Sequence, residues 1–417
     1  MSRTTRARAS LLFIACVGCT DAAPPVIVRT QSLLAGAHVD TLLGEFSGVT
    51  TAAEFHDSLL VVADLREQTL WRLNLRSGLR DSIGRRGNGP GEHRRVGFIA
   101  KAHRDSVAMI DGFAGWPFVV IDVASGRGRS ARVLDPGRRD DLEATLWVTA
   151  TPYLRTADTL GRIFGAPDMA QPRIDSATRL PLPAEPLDTY TIVRFSIDGS
   201  TVDTPVVFPR GHTYAMSGRD ASGRYVRRLD PGRYAPLNGW TVRDDGAVLR
   251  ADARQYVLTV HAPNGDSLRS WRVPHTPITL SDSSWQAHLA SARTFARQLL
   301  GGQIREIGDA MGRPMRAPPE PTYEEPPKPA TVPPLSLASG AASLHFVDEY
   351  AWVPVHLDDS GTSIGWDVID LETGTRRVRY TMPPRHRLLL VTRRGVYVVS
   401  TDEDDLQRIL FVRPSTP

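Results

Sequence analysis

The sequence predicts an all-β fold, a six-bladed β-propeller, from a repeated phrase and from the runs between its copies. The phrase is an alternating apolar and polar strand that ends in a small polar residue and Gly. It occurs at residues 71–78 (WRLNLRSG), 119–126 (VVIDVASG), 193–199 (VRFSIDG), 258–265 (LTVHAPNG) and 367–374 (DVIDLETG). Such an ending favours a tight turn in which the Gly has a positive φ. A recurring strand-and-turn unit of this length indicates a propeller, whose blades are small sheets around an axis.

Strand-like runs divide the chain into six groups, the expected blades. They cover residues 49–83, 96–133, 146–208, 239–273, 341–381 and 387–412. The last group offers only three strands and lacks the Gly turn. We therefore expect the β-branched run at residues 26–29 to pair beside residues 406–412 and close the ring, which leaves no open sheet edge.

Residues 279–334 interrupt the blade pattern before blade five. Ser281 or Ser283 can cap a helix, which the pair Gly301 and Gly302 should end. The apolar face of this helix would contain Trp285, Leu289, Ala292, Ala296 and Leu299. Nine prolines between residues 314 and 334 indicate extended chain. We expect an insertion that packs on the propeller, and the alternative is a lid or a partner-docking arm.

The first 18 residues have the form of an export signal. Arg3, Arg6 and Arg8 precede an apolar run of roughly ten residues, too short for a membrane-spanning helix, which needs about 20. The junction after Gly18 resembles a bacterial lipoprotein signal, which implies lipidation of Cys19. Residues 19–25 would then tether a propeller formed by residues 26–417. Two alternatives stay open, namely lipidation at Cys16 and cleavage as an ordinary signal peptide.

The composition excludes several classes of function. Cys16 and Cys19 are the chain's two cysteines, so the mature domain has neither disulfides nor cysteine catalysis. The net charge of +4 falls to +1 without the three leader arginines, so nothing favours a nucleic-acid partner. We expect an exported, lipid-anchored monomer in the cell envelope that relies on a large core rather than on disulfides.

The connection after blade one has a recognisable form. Residues 84–100 read GRRGNGPGEHRRVGFIA, which resembles the NHL-repeat linker G-x-x-G-x-G-P-G-x-F-x-x-P-x-G-I-A. His93 stands in place of the Phe, and Val96 stands in place of the Pro. The chain from residue 19 onward resembles bacterial six-bladed propeller lipoproteins of the NHL-repeat/TolB-like superfamily. That group has no common ligand, so the resemblance implies a fold and no substrate.

Candidate ligand-binding residues are selected by their expected positions on one face of the propeller. In a propeller, the linkers between blades and the loops between second and third strands share one face around the axis, and loops on a rigid scaffold often bind ligands. The candidates are Asp64, Arg66, Glu67, Arg85, Arg86, Glu92, Asp111, Trp116, Asp252 and Arg254, with Phe113 beside Trp116. The alternative interpretation is that each Asp only caps its own turn.

No motif specifies a catalyst, metal or cofactor. The GTSIG run at residues 361–365 fits a serine-nucleophile pattern, but a strand follows it where that motif needs a helix. Propeller lactonases of the gluconolactonase type hold a metal with Glu, Asn and Asp, and only Asn88 and Asn238 are placed for such a role here. We expect no cofactor, and we expect a non-enzymatic module that binds a peptide, glycan or protein. The alternatives are a channel-centred hydrolase or lyase, metal-dependent if lactonase-like, and a structural role in the envelope.

Overall fold

A computed structural model describes most of the chain outside its leader. The described residues are 29–42, 44–93, 95–97, 99–103, 105–110, 118–131, 162–165, 189–196, 202–209, 211, 216–219, 225–229, 234–310, 322–337 and 344–414. They form 29 strands and one helix, so the fold is an all-β propeller with a single helical element in this part of the chain.

Two short N-terminal strands precede the first two blades. The N-terminal strands are β1 (Thr30–Ser32) and β2 (His38–Thr41). Blade one consists of β3 (Val49–Phe55), β4 (Leu59–Asp64), β5 (Thr69–Asn74) and β6 (Arg80–Ile83). Blade two consists of β7 (Ile99–His103), β8 (Ser106–Ile110), β9 (Phe118–Asp122) and β10 (Gly128–Ala131). Both sheets are antiparallel in chain order, with β3 and β7 packed together on the axial side.

The next segment contains a three-stranded sheet and a hairpin. The sheet consists of β11 (Arg162–Gly165), β12 (Thr189–Ser196) and β13 (Val202–Pro209). The hairpin consists of β14 (Met216–Arg219) and β15 (Tyr225–Leu229). Blade four follows as β16 (Gly239–Val242), β17 (Val248–Asp252), β18 (Val257–His261) and β19 (Ser267–Arg272).

The insertion and the last two blades complete the chain. The insertion holds β20 (Ile278–Thr279), helix α1 (Asp282–Ala310), β21 (Thr322–Glu324) and β22 (Thr331–Val332). Blade five consists of β23 (His345–Val347), β24 (Tyr350–His356), β25 (Ile364–Asp370) and β26 (Thr375–Thr381). Blade six consists of β27 (His386–Thr392), β28 (Gly395–Thr401) and β29 (Gln407–Arg413) together with β2. Blade numbers here are those of the sequence groups.

The core lies between neighbouring sheets. Alternate side chains of facing blades interlock in separate apolar layers, because each strand projects successive residues to opposite faces. Phe55 and Met109 belong to the layer between blades one and two, and Leu258 and Val353 belong to the layer between blades four and five. Phe164 of the three-stranded sheet packs with Trp240 of blade four. Burial between blades therefore holds the ring together.

Four of the five predicted Gly turns are present, and the fifth, at Gly199, lies outside the described residues. Gly78, Gly126, Gly265 and Gly374 all have positive φ, between 69° and 94°. In each turn with Asn or Asp at the end of the third strand, that side chain accepts backbone N–H bonds; the Oδ1 atom of Asn74, for example, accepts from Arg76 and Ser77 at 3.0 Å each. The repeated phrase therefore marks the hairpin between third and fourth strands.

The number of blades differs from the prediction. Five blades have four antiparallel strands, whereas the third group gives a sheet of three strands. Within this third group the sequence predicts strands at residues 146–151, 159–166, 191–197 and 201–208, and the last three correspond to the strands of the sheet. The run at residues 146–151 lies outside the described residues. Six complete blades are therefore not confirmed, and the structure supports a propeller with five.

The ring closes through the N-terminal segment, but with a different strand from the predicted one. Strand β2 pairs antiparallel with β29, with Val39 opposite Val412. Residues 26–28 lie outside the described residues, and the Arg29 carbonyl accepts a hydrogen bond from the Arg379 N–H of blade five at 3.0 Å. Strand β1 continues parallel to β26. Strand β2 rather than residues 26–29 is therefore the strand beside β29, and the buried Leu33, which precedes β2, packs between blades five and six.

The insertion differs from the prediction in its length and partners. The Ser281 hydroxyl caps the helix by accepting the Ser284 N–H at 3.2 Å, as expected. The helix runs through Gly301 and Gly302 to Ala310, because each helical Gly costs only about 1 kcal/mol relative to Ala. In the proline-rich stretch, residues 314–321 lie outside the described residues, and residues 322–334 contain two short strands. Of these, β21 pairs with β14 of a hairpin that the sequence did not predict.

Candidate functional site

A cavity of about 320 Å³ lies where the innermost strands of five blades end. We call this cavity the channel mouth. Its lining comes from the ends of β3, β7, β16, β23 and β27 and from the turns that lead to the second strands. The polar lining residues are Glu54, His56, Asp57, Lys101, Thr241, Arg243, Asp244, His345, Asp348, Thr392, Arg393 and Arg394. The channel mouth therefore lies on the face opposite to the linkers between blades.

Local backbone geometry explains why charged residues collect at this end. The turn after β3 places His56 and Asp57 at φ values of 49° and 53°, and the turn after β23 places Asp348 at 51°. Asp and His tolerate this left-handed region better than most residues do. Each inner strand buries an apolar residue such as Phe55 or Phe346 immediately before the turn. The following side chains are thereby directed to the solvent side of the cavity.

Three arginines of the channel mouth already have charge partners. Arg243 donates two hydrogen bonds to Asp245, at 3.0 and 2.6 Å, and these bonds lower the pKa of the Asp245 carboxyl below its ordinary value. Arg393 Nε lies 2.6 Å from Asp348 Oδ1. Their guanidinium groups stiffen the rim and present less free charge to a ligand.

Glu54 is held on the cavity wall by two groups from blade six. The Tyr397 hydroxyl donates a hydrogen bond to Glu54 Oε2 at 2.7 Å, and Arg394 Nη1 lies 3.5 Å from Oε1. Burial and, next, the bond to Glu54 raise the pKa of Tyr397 above its ordinary value, so this phenol stays neutral. The Arg394 guanidinium also donates to the Asp57 carbonyl. These bonds connect blades one and six where the ring closes.

Lys101 differs from the arginines. No carboxylate of the described residues lies within ion-pair distance of its ammonium, which lies 5.5 Å from the centroid of the Phe55 ring. The side-chain carboxylates of Asp57 and Asp244 likewise accept no hydrogen bond from the part of the chain that the structure describes. The channel mouth thus offers one cation and two anions that neighbouring side chains do not neutralise.

His56 forms a hydrogen-bonded pair with Asp105, between its Nε2 atom and Oδ1 of the carboxylate. The two residues come from the first turns of blades one and two, and both side chains are about half exposed. A carboxylate hydrogen-bonded to an imidazole nitrogen fixes the orientation of the ring. The pair lies beside the cavity that Glu54 and Lys101 also line.

The predicted residue Asp64 lies in a different environment. It is fully buried, and its carboxylate accepts backbone N–H bonds from Ser47, Arg66 and Glu67 at 2.8 to 3.0 Å. Glu67 accepts bonds from the Ser47 hydroxyl and the Trp71 indole. The Arg66 side chain is exposed. Asp64 is therefore a turn cap, as the alternative interpretation expected.

The other predicted residues that the structure describes also lie at turns or linkers and do not line the channel mouth. Asp252 accepts the backbone N–H groups of Arg254 and Gln255 at 3.0 and 2.9 Å. Glu92 accepts the Gly89 N–H at 2.8 Å and pairs with Arg85 Nε at 3.0 Å, which braces the glycine-rich linker. Arg86 is exposed and bridges to His93 through its backbone. Asp111, Phe113 and Trp116 lie outside the described residues.

The lactonase-type asparagines have different environments. The Asn238 amide is buried, donates to the Pro209 carbonyl at 2.8 Å and accepts the Ala253 N–H at 3.0 Å. Asn88 lies exposed in the linker after blade one. Among the described residues, no three His, Cys, Asp or Glu side chains are arranged to hold a metal ion. In the same part of the chain, no helix has the length and apolar character needed to cross a membrane.

The similarities to known proteins are confined to solved structures. No protein-family model and no curated protein matches the chain. Among solved structures, it resembles a gluconolactonase of Xanthomonas campestris, at 12% identity and a TM-score of 0.43, over 91% of each chain. A DUF4221 family member of Bacteroides vulgatus has 8% sequence identity to this chain and a TM-score of 0.47, over 91% of this chain and 99% of that one. The PQQ-bound aldose sugar dehydrogenase of Streptomyces coelicolor has 11% sequence identity and a TM-score of 0.40, over 90% of this chain and 98% of that one.

Proposed function

We propose that this protein is an exported, membrane-tethered, monomeric six-bladed propeller that binds a peptide, glycan or protein ligand at its channel mouth. The observation that carries the proposal is a cavity of about 320 Å³ whose wall holds charged groups without neutralising partners. That volume lies at the small end of the range for ligand sites, roughly 300–1,000 Å³. The groups are Lys101, Asp57 and Asp244, all fixed at the ends of rigid inner strands.

A sixth blade is supported by a repeated ion pair. In blade one, Arg72 of the third strand pairs with Asp81 of the fourth, and Arg72 Nη1 also reaches the Val123 carbonyl of the next blade at 2.5 Å. In the three-stranded sheet, Arg194 pairs with Asp203, and its Nη1 reaches the Pro263 carbonyl of blade four at 2.6 Å. By this equivalence β12 and β13 are third and fourth strands. We propose that residues 146–151 supply the first.

The opposite face is the second candidate surface. Arg66, Arg85 and Arg254 are exposed there. The insertion is anchored on the same side, because Asp359 in the loop after the second strand of blade five accepts the Ser284 hydroxyl at 3.0 Å. A ligand there would contact loops that are already capped by their own carboxylates. We therefore favour the channel mouth.

A capture experiment with a blocked cavity tests the proposal. Purified protein is incubated with a cell-envelope extract and washed, and the retained molecules are identified by mass spectrometry. Ala52 lines the cavity, so Ala52→Trp should fill it, whereas Ala124→Trp adds the same side chain to an exposed outer turn. We expect a molecule retained by the wild type and by Ala124→Trp and lost from Ala52→Trp.

The capture result has clear contrary outcomes. Val347→Trp, at another lining position, replaces Ala52→Trp if that variant has an altered circular dichroism spectrum or melting curve. A molecule retained equally by a folded, cavity-filled variant would place binding elsewhere. If no molecule is enriched over a mock column, the binding role is unsupported.

Membrane tethering has its own test. We propose lipidation at Cys19, so Cys19→Ala should move the protein from the membrane to the soluble fraction, whereas Cys16→Ala should leave it in place. Metabolic labelling with a fatty-acid analogue reports the modification directly. Label that depends on Cys16, or unchanged fractionation of Cys19→Ala, would contradict this assignment.

The alternative function is a hydrolase or lyase that acts in the channel. The observation that favours it is the His56–Asp105 pair beside a cavity that also contains Glu54. A histidine oriented by a carboxylate can act as a general base. Conversion of the captured molecule by wild-type protein, lost in His56→Gln with retained binding, would establish catalysis. A captured molecule that is recovered unchanged supports the binding role.

A further inference from the structure

The charges of the channel mouth differ in availability. Of its four cationic side chains, Arg243, Arg393 and Arg394 are paired with Asp245, Asp348 and Glu54. Lys101 has no ion-pair partner among the described residues, although four carboxylates line the same cavity. A cation that is surrounded by acids yet pairs with none of them remains available to a ligand.

The type of side chain at this position is also distinctive. Lysines occur at two positions of the chain, Lys101 and Lys328, and its other basic residues are arginines. Lys328 lies in the insertion and pairs with Asp282 at 2.5 Å. An ammonium is a compact charge with three rotatable donors, which suits a single carboxylate that approaches along a channel. The planar guanidinium of arginine suits the lateral, two-point pairs that Arg243 forms on the rim.

The surroundings of Lys101 strengthen an interaction with an anion. The residue is half-buried on β7, its ammonium lies 5.5 Å from the centroid of the Phe55 ring, and the apolar residue Ile99 of the same strand also lines the cavity. Charges attract more strongly where apolar walls keep water away. A ligand carboxylate would therefore be attracted more strongly to Lys101 than to an exposed surface lysine.

Two carboxylates at the turns complete the pattern. Asp57 and Asp244 come from the first turns of blades one and four, and both are exposed. Lys101 precedes its own turn, on the body of β7. A ligand that enters from the solvent therefore meets acidic groups at the rim and a cation on the wall. This order favours a molecule with a leading anionic group and a following cationic group.

We propose that the channel mouth takes a ligand by its carboxylate, which pairs with Lys101, and that a cationic group of the same ligand pairs with Asp57 or Asp244. This inference rests on the proposed function and specifies its ligand class, a peptide with a free C-terminus and a basic side chain. The cavity volume of about 320 Å³ suits the end of such a peptide rather than a folded domain.

The test uses Lys101 itself as the reporter. Reductive methylation with ¹³C-formaldehyde labels both lysines and keeps their charge. Lys101→Met assigns the signals by removing one of them, and Lys328 serves as the internal control. The probes are N-acetyl-Gly-Lys with a free carboxylate and the same peptide as its C-terminal amide. Calorimetry on unlabelled protein measures both affinities.

We expect the free acid to shift the Lys101 signal and leave the Lys328 signal unchanged. The amide should bind about tenfold more weakly, because it lacks a charge-assisted bond. In Lys101→Met this preference should disappear, while the Asp57→Asn and Asp244→Asn double variant should weaken both peptides equally. Neutral N-acetyl-Gly-Leu should bind more weakly than the basic peptide, and this difference should shrink in the Asp57→Asn and Asp244→Asn double variant.

Contrary outcomes separate this inference from the proposed function. Equal binding of acid and amide, lost in Ala52→Trp, would keep the channel mouth as a binding site and overturn the carboxylate assignment. An unmoved Lys101 signal during measurable binding would do the same. No binding of either peptide up to about 10 mM would overturn the inference. The capture experiment then decides the proposed function independently.

Discussion

Removal of the N-terminal strands should destabilise the whole propeller, because they join blades five and six. The reference protein begins at Arg29, one variant begins at Gly36 and loses β1, and another begins at Glu45 and loses both β1 and β2. The Gly36 variant loses Leu33, which is 1% exposed in the layer between blades five and six. The Glu45 variant also loses the pairing of β2 with β29.

The expected magnitude follows from these contacts. Burial of a leucine contributes about 1.5–3 kcal/mol. The bonds from the Leu33 N–H to the Thr381 carbonyl and from the Leu42 N–H to the Ile409 carbonyl, both 2.9 Å, add about 1 kcal/mol each. The Glu45 variant should thus lose about 3.5–5 kcal/mol, a large share of a typical stability of about 5–15 kcal/mol. At about 1.2 °C per kcal/mol for a chain of this length, its melting temperature should fall by about 4–6 °C.

Differential scanning calorimetry of the three proteins measures these effects. The Gly36 variant should melt between the other two, and Leu33→Ala in the reference protein should reproduce most of its loss. Equal melting temperatures for the Arg29 and Glu45 proteins would refute closure by β2. A Gly36 variant as unstable as the Glu45 variant would show that β1 alone holds the ring.

Four further predictions concern stability. Asp367→Ala should lower the free energy of unfolding by about 3–5 kcal/mol, because it removes the buried partner of Arg376 and Arg379, which lie 2.8 and 2.6 Å from its carboxylate. Urea titration measures the loss, with Asp266→Ala on an exposed turn as the control. Equal losses in the two variants would contradict the prediction. Burial and then the charge of Asp367 raise the pKa of Tyr256 well above its ordinary value, so the stabilisation from this group is present below about pH 10 and is lost as the pH rises further. In thermal melts from pH 8 to 11, Tyr256→Phe should reduce the fall of the melting temperature with pH. An unchanged slope would argue against the prediction. Gly374→Ala should lower the melting temperature more than Gly36→Ala does. Both glycines have φ near 70°, but only at Gly374 would the new Cβ clash, at 1.9 Å from Trp271 Cδ1. Similar melting temperatures of the two variants would show that Trp271 moves freely. Replacement of residues 279–333 by a short Gly/Ser linker should leave a protein that still unfolds cooperatively, because Trp285 and Leu289 pack in a cluster apart from the layers between blades. A molten protein without a cooperative transition would show that the helix belongs to the core of the propeller.

The sequence predicted the blades well because their signals are local. Alternation and Gly turns depend on neighbouring residues, and strands such as β5 and β25 begin and end close to the predicted limits. The closing strand was harder to predict. Any short polar strand such as His38–Thr41 can complete a sheet, since its side chains are largely exposed and only its backbone pairs. The hairpin of β14 and β15 was missed because its partner β21 is about a hundred residues away.

The candidate site shows why turn residues alone identify a ligand site poorly. An Asp that ends a second or third strand is followed by two N–H groups that its own carboxylate accepts, as in Asp64, Asp122, Asp252 and Asp370. Those carboxylates cap turns and have little capacity left for a ligand. Turns that leave the inner strands follow a different rule. There the left-handed residues His56, Asp57 and Asp348 cap no local N–H groups. His56 and Asp348 instead pair with residues of neighbouring blades, and the Asp57 carboxylate accepts no hydrogen bond from the described residues. A charged residue directly after the innermost strand of a blade is therefore a better predictor of a side chain that lines the channel mouth than an Asp in a Gly-containing turn. By this criterion the HDS, RDDG and TRRG runs at residues 56–58, 243–246 and 392–395 mark the channel mouth in the sequence itself.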